Sequence, residues 1–285
     1  GPKNSPVAAC GDRASGDPRR FYHQQNFLNR YSMIHLKSIK IQLALFLTGF
    51  ALYLALLEKE ASFLLSLSMA VICTVGAESL ALVLKQKKLS ISESSIVTGL
   101  IIGFVLSSDQ PPWVLALTAG AAISSKHLIR INGRHLFNPA GFGLLLAAIV
   151  CGAQMQWKGT FVWPVMVAAG LYFAYRVRKL EILAGYFLIS WFLFGSQAFL
   201  SGFSLRQMFG YFSYFYIFVM LIEPKTSPVT GPGKFLFGAG VAGLIFILTQ
   251  AGVRFDAELG SLLLANLAVP GLNQWVRIRE KGGNT

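Results

Sequence analysis

The chain is poor in charge. Of its 285 residues only 13% are Asp, Glu, Lys or Arg, about half the usual share in a soluble domain. Acids are the scarcer sign, 12 against 25 Lys and Arg, which leaves a formal net charge of +13. On a soluble protein that excess would point to nucleic acid. Here the cations stand in short polar segments between long apolar runs, so the positive-inside rule accounts for them and no nucleic-acid partner is expected. Cysteine is almost missing too. Cys10, Cys73 and Cys151 are widely separated, and no pair has metal-ligand spacing. This chain alone cannot supply four thiolates to an iron–sulfur cluster. The four histidines, His23, His35, His127 and His135, fall in leader or loop regions. A two-haem cytochrome would need them mid-span, so no haem is expected. There is no Walker-type phosphate loop, no assembled Ser–His–acid triad and no cleavable signal peptide ahead of the first apolar run.

What is present is hydrophobicity, 54% of the chain. Residues 1–38 read as a polar, basic leader whose Gly1-Pro2 looks like a protease-cleavage scar. Phe21–Lys40 reads as partly interfacial. Residues 39–278 read as a transmembrane domain and 279–285 as a cytoplasmic tail. Apolar runs fall at 41–57, 62–84, 96–107, 113–129, 138–155, 160–175, 182–200, 207–222, 234–251 and 259–276. A membrane span needs about 17–25 residues, and the third run is too short by that measure.

Loop charge settles the third run. With the leader cytoplasmic, Lys85, Lys87, Lys88, Lys126, Arg130, Arg134, Arg176, Arg178, Lys179, Lys225, Lys234, Arg277, Arg279 and Lys281 all face the cytoplasm. The opposite connections hold few cations. That asymmetry exists only if the third run crosses. The expectation is an all-α membrane protein in a bacterial cytoplasmic (inner) membrane. It has ten transmembrane helices, both termini are cytoplasmic, and protein shields the third helix from lipid. Two five-helix halves forming an inverted repeat are expected as well. The pentapeptides Ser95-Ile96-Val97-Thr98-Gly99 and Ser227-Pro228-Val229-Thr230-Gly231 echo each other, but six crossings apart, which does not fit a clean five-plus-five division.

Two polar segments carry the candidate chemistry. The first runs from Ser124 through Lys126-His127 to His135 and Asn138-Pro139. Asn-Pro is a helix cap followed by a first-turn proline. A helix N-terminus is also an anion or polar-ligand site, so Lys126, His127, His135 and Asn138 are candidates for a phosphate, a flavin edge or a quinone carbonyl. The second is Glu223–Gly233, where three prolines and two glycines predict a non-helical loop rich in hydroxyls. Glu78 lies inside the second apolar run and is a candidate ion or proton site, or else the partner of a loop cation. Asn266 is expected to bond to a neighbouring helix and Pro270 to kink the last one. Tyr211, Tyr214, Phe215 and Tyr216 are expected at the membrane interface and in packing.

The run from Ser94–Gly99 through Pro111-Pro112-Trp113, Lys126-His127 and Phe137-Asn138-Pro139-Ala140 resembles the RnfD/NqrB family. So does Glu223–Thr230, and the likeness extends from about Phe27 to Trp275. The resemblance implies a ten-helix membrane subunit of a redox-driven ion pump that carries electrons on flavins. In that family one flavin mononucleotide is linked to the threonine of a Ser-Gly-Ala-Thr motif. The sequence has no such motif, so covalent FMN is not expected. The riboflavin of the NqrB branch goes with an Asn-x-x-Asn-Pro pattern. Asn138 matches its second asparagine and His135 replaces the first. The resemblance thus implies a non-covalent flavin (riboflavin or FMN), or a quinone, held by His135, Asn138, Lys126, His127, Thr98, Thr226, Ser227 and Thr230. It also implies a cytoplasmic ferredoxin-reductase-type protein or domain as partner, beside other membrane redox subunits. Electrons would pass from that reductase to the membrane. The competing expectations are a transporter or channel for a small polar solute such as a flavin, and a membrane anchor for a redox enzyme.

Overall fold

The computed structural model describes residues 39–86, 91–131, 133–202 and 212–282. Helix α1 spans Ile39–Glu58 and α2 spans Ala61–Gln86. They are followed by α3 (Glu93–Val105), α4 (Pro112–Leu128), α5 (Pro139–Cys151), α6 (Trp163–Arg176) and α7 (Leu180–Leu200). A π-helical segment, Tyr216–Met220, precedes α8 (Gly231–Gln250) and α9 (Ala257–Gly282). A two-residue ribbon joins α4 to α5, with β1 (Arg130–Ile131) antiparallel to β2 (Arg134–His135). Among the described residues, four helices, α1, α2, α7 and α8, are long and apolar enough to cross a membrane. Large apolar side chains point outward at their ends, including Leu56, Leu84, Phe199 and Leu200. That outward surface needs a lipid solvent.

Helix starts follow local chemistry. The Ser92 hydroxyl accepts the Ser94 N–H at the head of α3. Asn138 Oδ1 accepts the Gly141 N–H at 2.9 Å at the head of α5, where Pro139 fits the first turn. The expected fifth span, 138–155, is cut short. Gly152 takes φ 64° and ends α5 at Cys151. The chain beyond turns extended and pairs with the end of α3: Leu106 bridges Met155, and the Gln156 and Lys158 N–H groups donate to the Val105 and Phe104 carbonyls at 2.7 and 2.8 Å. The extended chain that follows α5 thus satisfies the last carbonyls of the thirteen-residue helix α3.

A second departure concerns Gly231, Pro232 and Gly233, expected in a loop. They form the first turn of α8, where a proline's missing N–H would be unbonded in any case. The aromatic cluster packs as expected: Tyr214, Phe215 and Tyr216 are buried, while Tyr211 lies outside the described residues. The Phe215 ring stacks on Phe104 at 5.0 Å, and Phe104 stacks on Phe50 at 5.9 Å. Aromatic packing therefore fills the centre of the bundle. Pro270 lies inside α9, which continues past it.

Helix directions decide where the polar loops meet. Glu78 of α2 pairs with Lys126 of α4, and Lys85 Nζ donates to the His127 carbonyl, so α2 and α4 run parallel. Helices α7 and α8 also run parallel: Lys234 faces Glu181 near their starts and Gln197 faces Gln250 near their ends. Their backbones touch, because a Cβ on Gly238 would collide with the Ile182 carbonyl and one on Gly185 with the Phe235 carbonyl. The starts of α7 and α8 lie on the face where α2 and α4 end, since Arg134 and Lys234 both act electrostatically on Lys179. The two parallel pairs therefore point in opposite directions.

Candidate functional site

Both polar segments converge on that shared face. Asn138 is at its centre, 2% exposed. Its backbone N–H donates to Asn266 Oδ1 of α9 at 3.0 Å, and its Nδ2 approaches the Met220 carbonyl at 3.4 Å. Asn266 Nδ2 in turn donates to the Thr226 carbonyl at 3.0 Å. One buried amide thus ties the head of α5 to the 223–230 loop. Within the loop the Ser227 hydroxyl donates to the Glu223 carbonyl at 2.7 Å, and the Thr226 hydroxyl reaches Glu223 Oε2 at 3.4 Å. At its far end the Val229 N–H donates to Asn273 Oδ1 at 3.1 Å. Lys179 Nζ donates to the Pro228 carbonyl at 2.5 Å. Burial, with Lys234 and then Arg134 nearby, lowers the Lys179 amine to about 7.

Among the described residues of this assembly, His135 Nε2 and Thr230 Oγ1 are buried and have no hydrogen-bond partner. His135 is 6% exposed, and its Nε2 stands 3.5 Å from Glu223 Oε1. Thr230 heads α8, yet its hydroxyl caps no backbone group. Asn138, Thr226 and Ser227 are already engaged by the protein.

Other candidates lie beside this core. Glu78 is 4% exposed, with Oε1 2.8 Å from Lys126 Nζ and Oε2 3.1 Å from His127 Nε2. The three form a cluster between α2 and α4 that uses the polar ends of Lys126 and His127. The Thr98 hydroxyl donates to the Ser94 carbonyl one turn back at 2.8 Å. Lys40, at the head of α1, is near Lys225, Glu223, Lys126 and Glu93, which places the Glu78 cluster and the 223–230 loop on the same face. Sequence reasoning missed Lys179 and Asn273 as supports of the loop. Nothing in a basic inter-helix turn or a late helix asparagine marks them, because their roles depend on where α7 begins and where α9 passes the loop. Glu223 was visible as part of the second polar segment, though not as the neighbour of His135.

The sequence that builds this geometry has relatives among known proteins. The chain is similar to proteins named as the RnfD component of an ion-translocating oxidoreductase complex. It is 34% identical over 146 residues to that of Actinobacillus succinogenes, covering 50% of this chain and 38% of the relative. To that of Cronobacter sakazakii it is 30% identical over 159 residues, 53% of this chain and 44% of the relative. To that of Pseudomonas paraeruginosa it is 27% identical over 149 residues, 52% of this chain and 40% of the relative. The matches thus span about two fifths of these relatives' lengths. The model of the NQR2, RnfD, RnfE family matches residues 29–172 and 160–282, nearly the whole chain, and the protein belongs to that family.

Proposed function

We propose that the protein is a membrane subunit of an ion-translocating electron-transport complex, and that it holds a redox group at the face built by His135, Asn138 and the 223–230 loop. The observation that carries this reading is the pair of orphaned buried atoms, His135 Nε2 and Thr230 Oγ1, beside a network whose other members are satisfied. A buried polar atom without a partner costs about 1–3 kcal/mol, so a ligand that supplies one is favoured there. A non-covalent flavin fits this demand, because its ring edge offers both donors and acceptors; a quinone carbonyl fits only a donor. When bound, such a group supplies one- and two-electron redox chemistry. The chain's own part is positional. Asn138 and Asn266 lock the head of α5 against the loop, Lys179 holds the loop through the Pro228 carbonyl, and Glu223 sets a carboxylate beside the His135 ring. Lys126 would act through charge, since Glu78 holds its side-chain nitrogen together with that of His127.

The reading includes ten crossings, both termini in the cytoplasm of a bacterium, and a cytoplasmic ferredoxin-reductase-type protein as electron donor. The opposed directions of the α2/α4 and α7/α8 pairs support two inverted halves. In that pairing α4 corresponds to α8, so the echoed pentapeptides at α3 and α8 stand on elements that do not correspond. The test is a visible spectrum of the purified protein together with mass analysis of released ligands. Flavin bands at about one per chain, with no covalent adduct, are expected. A colourless protein that takes up neither riboflavin, FMN nor a short-chain quinone would remove the reading.

A second reading, transport of a small polar solute, is favoured by the shortness of α3 and α5, thirteen residues each. Short or interrupted helices are a transporter device. Riboflavin uptake by proteoliposomes without any redox partner would favour it over the first.

A further inference from the structure

At the opposite end of the bundle, a cavity of about 360 Å³ opens between the ends of α7 and α8 and the head of α9. Its walls are mainly apolar and aromatic, with Tyr186, Phe194 and Phe212 among them, and its polar groups include Asp256 and Glu258. Among the described residues no lysine, arginine or histidine forms an ion pair with either acid. Asp256 is held in place from two sides: Trp157 Nε1 donates to Oδ2 at 3.0 Å, and the Leu259 N–H donates to Oδ1 at 2.9 Å. Glu258 accepts from Ser213. A third group lies near both acids. Tyr216 is fully buried, its hydroxyl has no partner, and it lies within electrostatic reach of Tyr186, Glu258 and Asp256.

We propose that this cavity is a binding site for an alkylammonium group, with Asp256 and Glu258 as its counter-charge and Tyr186, Phe194 and Phe212 as its aromatic wall. The fixed Asp256 carboxylate has no cation paired with it among the described residues, and a cation bound beside Glu258 would favour its ionised form. Aromatic faces attract organic cations and add to that field. The cavity is about ten times the volume of a water molecule, room enough for a small organic cation. Burial and the Asp256 carboxylate push the Glu258 carboxyl up, as expected of an acid that lacks its counter-ion. The source of the amine is either a free small molecule or the ethanolamine headgroup of a neighbouring lipid. Phe199 and Leu200 are exposed at the end of α7, whose Ala198 and Ser201 line the cavity.

The experiment is thermal unfolding of the purified protein in detergent with ethylammonium or tetramethylammonium chloride, against sodium chloride at equal ionic strength. The organic cations are expected to raise the midpoint saturably and sodium is not. Glu258→Gln is expected to weaken the apparent affinity about tenfold. Should that variant fail to fold, Phe194→Leu, which thins the aromatic wall, is expected to weaken it severalfold. Repeating the titration in nanodiscs of phosphatidylethanolamine and of phosphatidylglycerol separates the sources. Weaker apparent binding in the former identifies the lipid headgroup as competitor, and equal binding identifies a free amine; both support the site. No midpoint shift, an equal shift with sodium, or undiminished binding in both variants would overturn it.

Discussion

Asn266 Oδ1 accepts the backbone N–H of Asn138 at 3.0 Å, across 128 residues of sequence. The same side chain donates to the Thr226 carbonyl. A single amide therefore satisfies one buried group from each polar segment. Asn266→Leu leaves both unpaired, and each costs about 1–3 kcal/mol. The variant is expected to lose about 2–4 kcal/mol of unfolding free energy in detergent. A loss under about 1 kcal/mol would mean that water replaces the amide.

Glu78 links two helices through Lys126 and His127. Glu78→Gln strands a buried lysine charge, and losses of about 3–5 kcal/mol are typical when one partner of a buried pair is removed. The double variant Glu78→Leu, Lys126→Met is expected to recover most of that loss, because no charge is then left unpaired. A double variant that is as unstable as the sum of the two singles would argue against the pair. It would leave Glu78 free to act as an ion or proton site.

Lys179 gives a pH signature. Its folded amine titrates near 7 against 10.5 in the unfolded chain. Between those values the unfolded state binds more protons, so this group makes stability rise with pH from about 7 to about 10.5. Below about pH 7 the full cost of burying the charged amine is present. Lys179→Met is expected to flatten the slope over that window. An unchanged slope would show that the amine is solvated in the protein.

Gly238 lies where α8 crosses α7. Gly238→Ala sets a methyl against the Ile182 carbonyl, and the helices must separate to admit it. Overpacking typically costs about 1–3 kcal/mol. Chemical unfolding should show a loss in that range, while Gly240→Ala, which meets open space, should show little.

Thr230→Val distinguishes structure from binding. The hydroxyl is buried and unbonded, so replacing it with a methyl of the same shape should leave stability unchanged or raise it by about 1 kcal/mol. Flavin affinity should fall about fivefold by equilibrium dialysis if the hydroxyl serves the ligand, as loss of one neutral hydrogen bond implies. Unchanged affinity would remove Thr230 from the site.

Much of this protein was legible in one dimension. Apolar run lengths and the placement of lysine and arginine marked out the order of the helices, because lipid demands unbroken apolar segments and the chain must interrupt them with charge. Asn138-Pro139 announced a helix start for the same local reason that Gly152 ends that helix: capping depends on a few adjacent residues. The three-dimensional partners were not legible. Nothing near Asn138 names Asn266, and nothing near Glu78 chooses Lys126 and His127 over the Lys85 that stands two turns away. Those choices follow from which helices run parallel and how closely glycines let them approach. The central aromatic stack was hidden likewise, since Phe104 and Phe215 are far apart in the chain and meet only in the packed bundle. Residue order was enough to say which segments are apolar enough for a membrane and which caps begin and end the helices, since both depend on neighbours in the chain. Which buried polar groups satisfy one another was set by folding alone, because a partner across the bundle is chosen by packing.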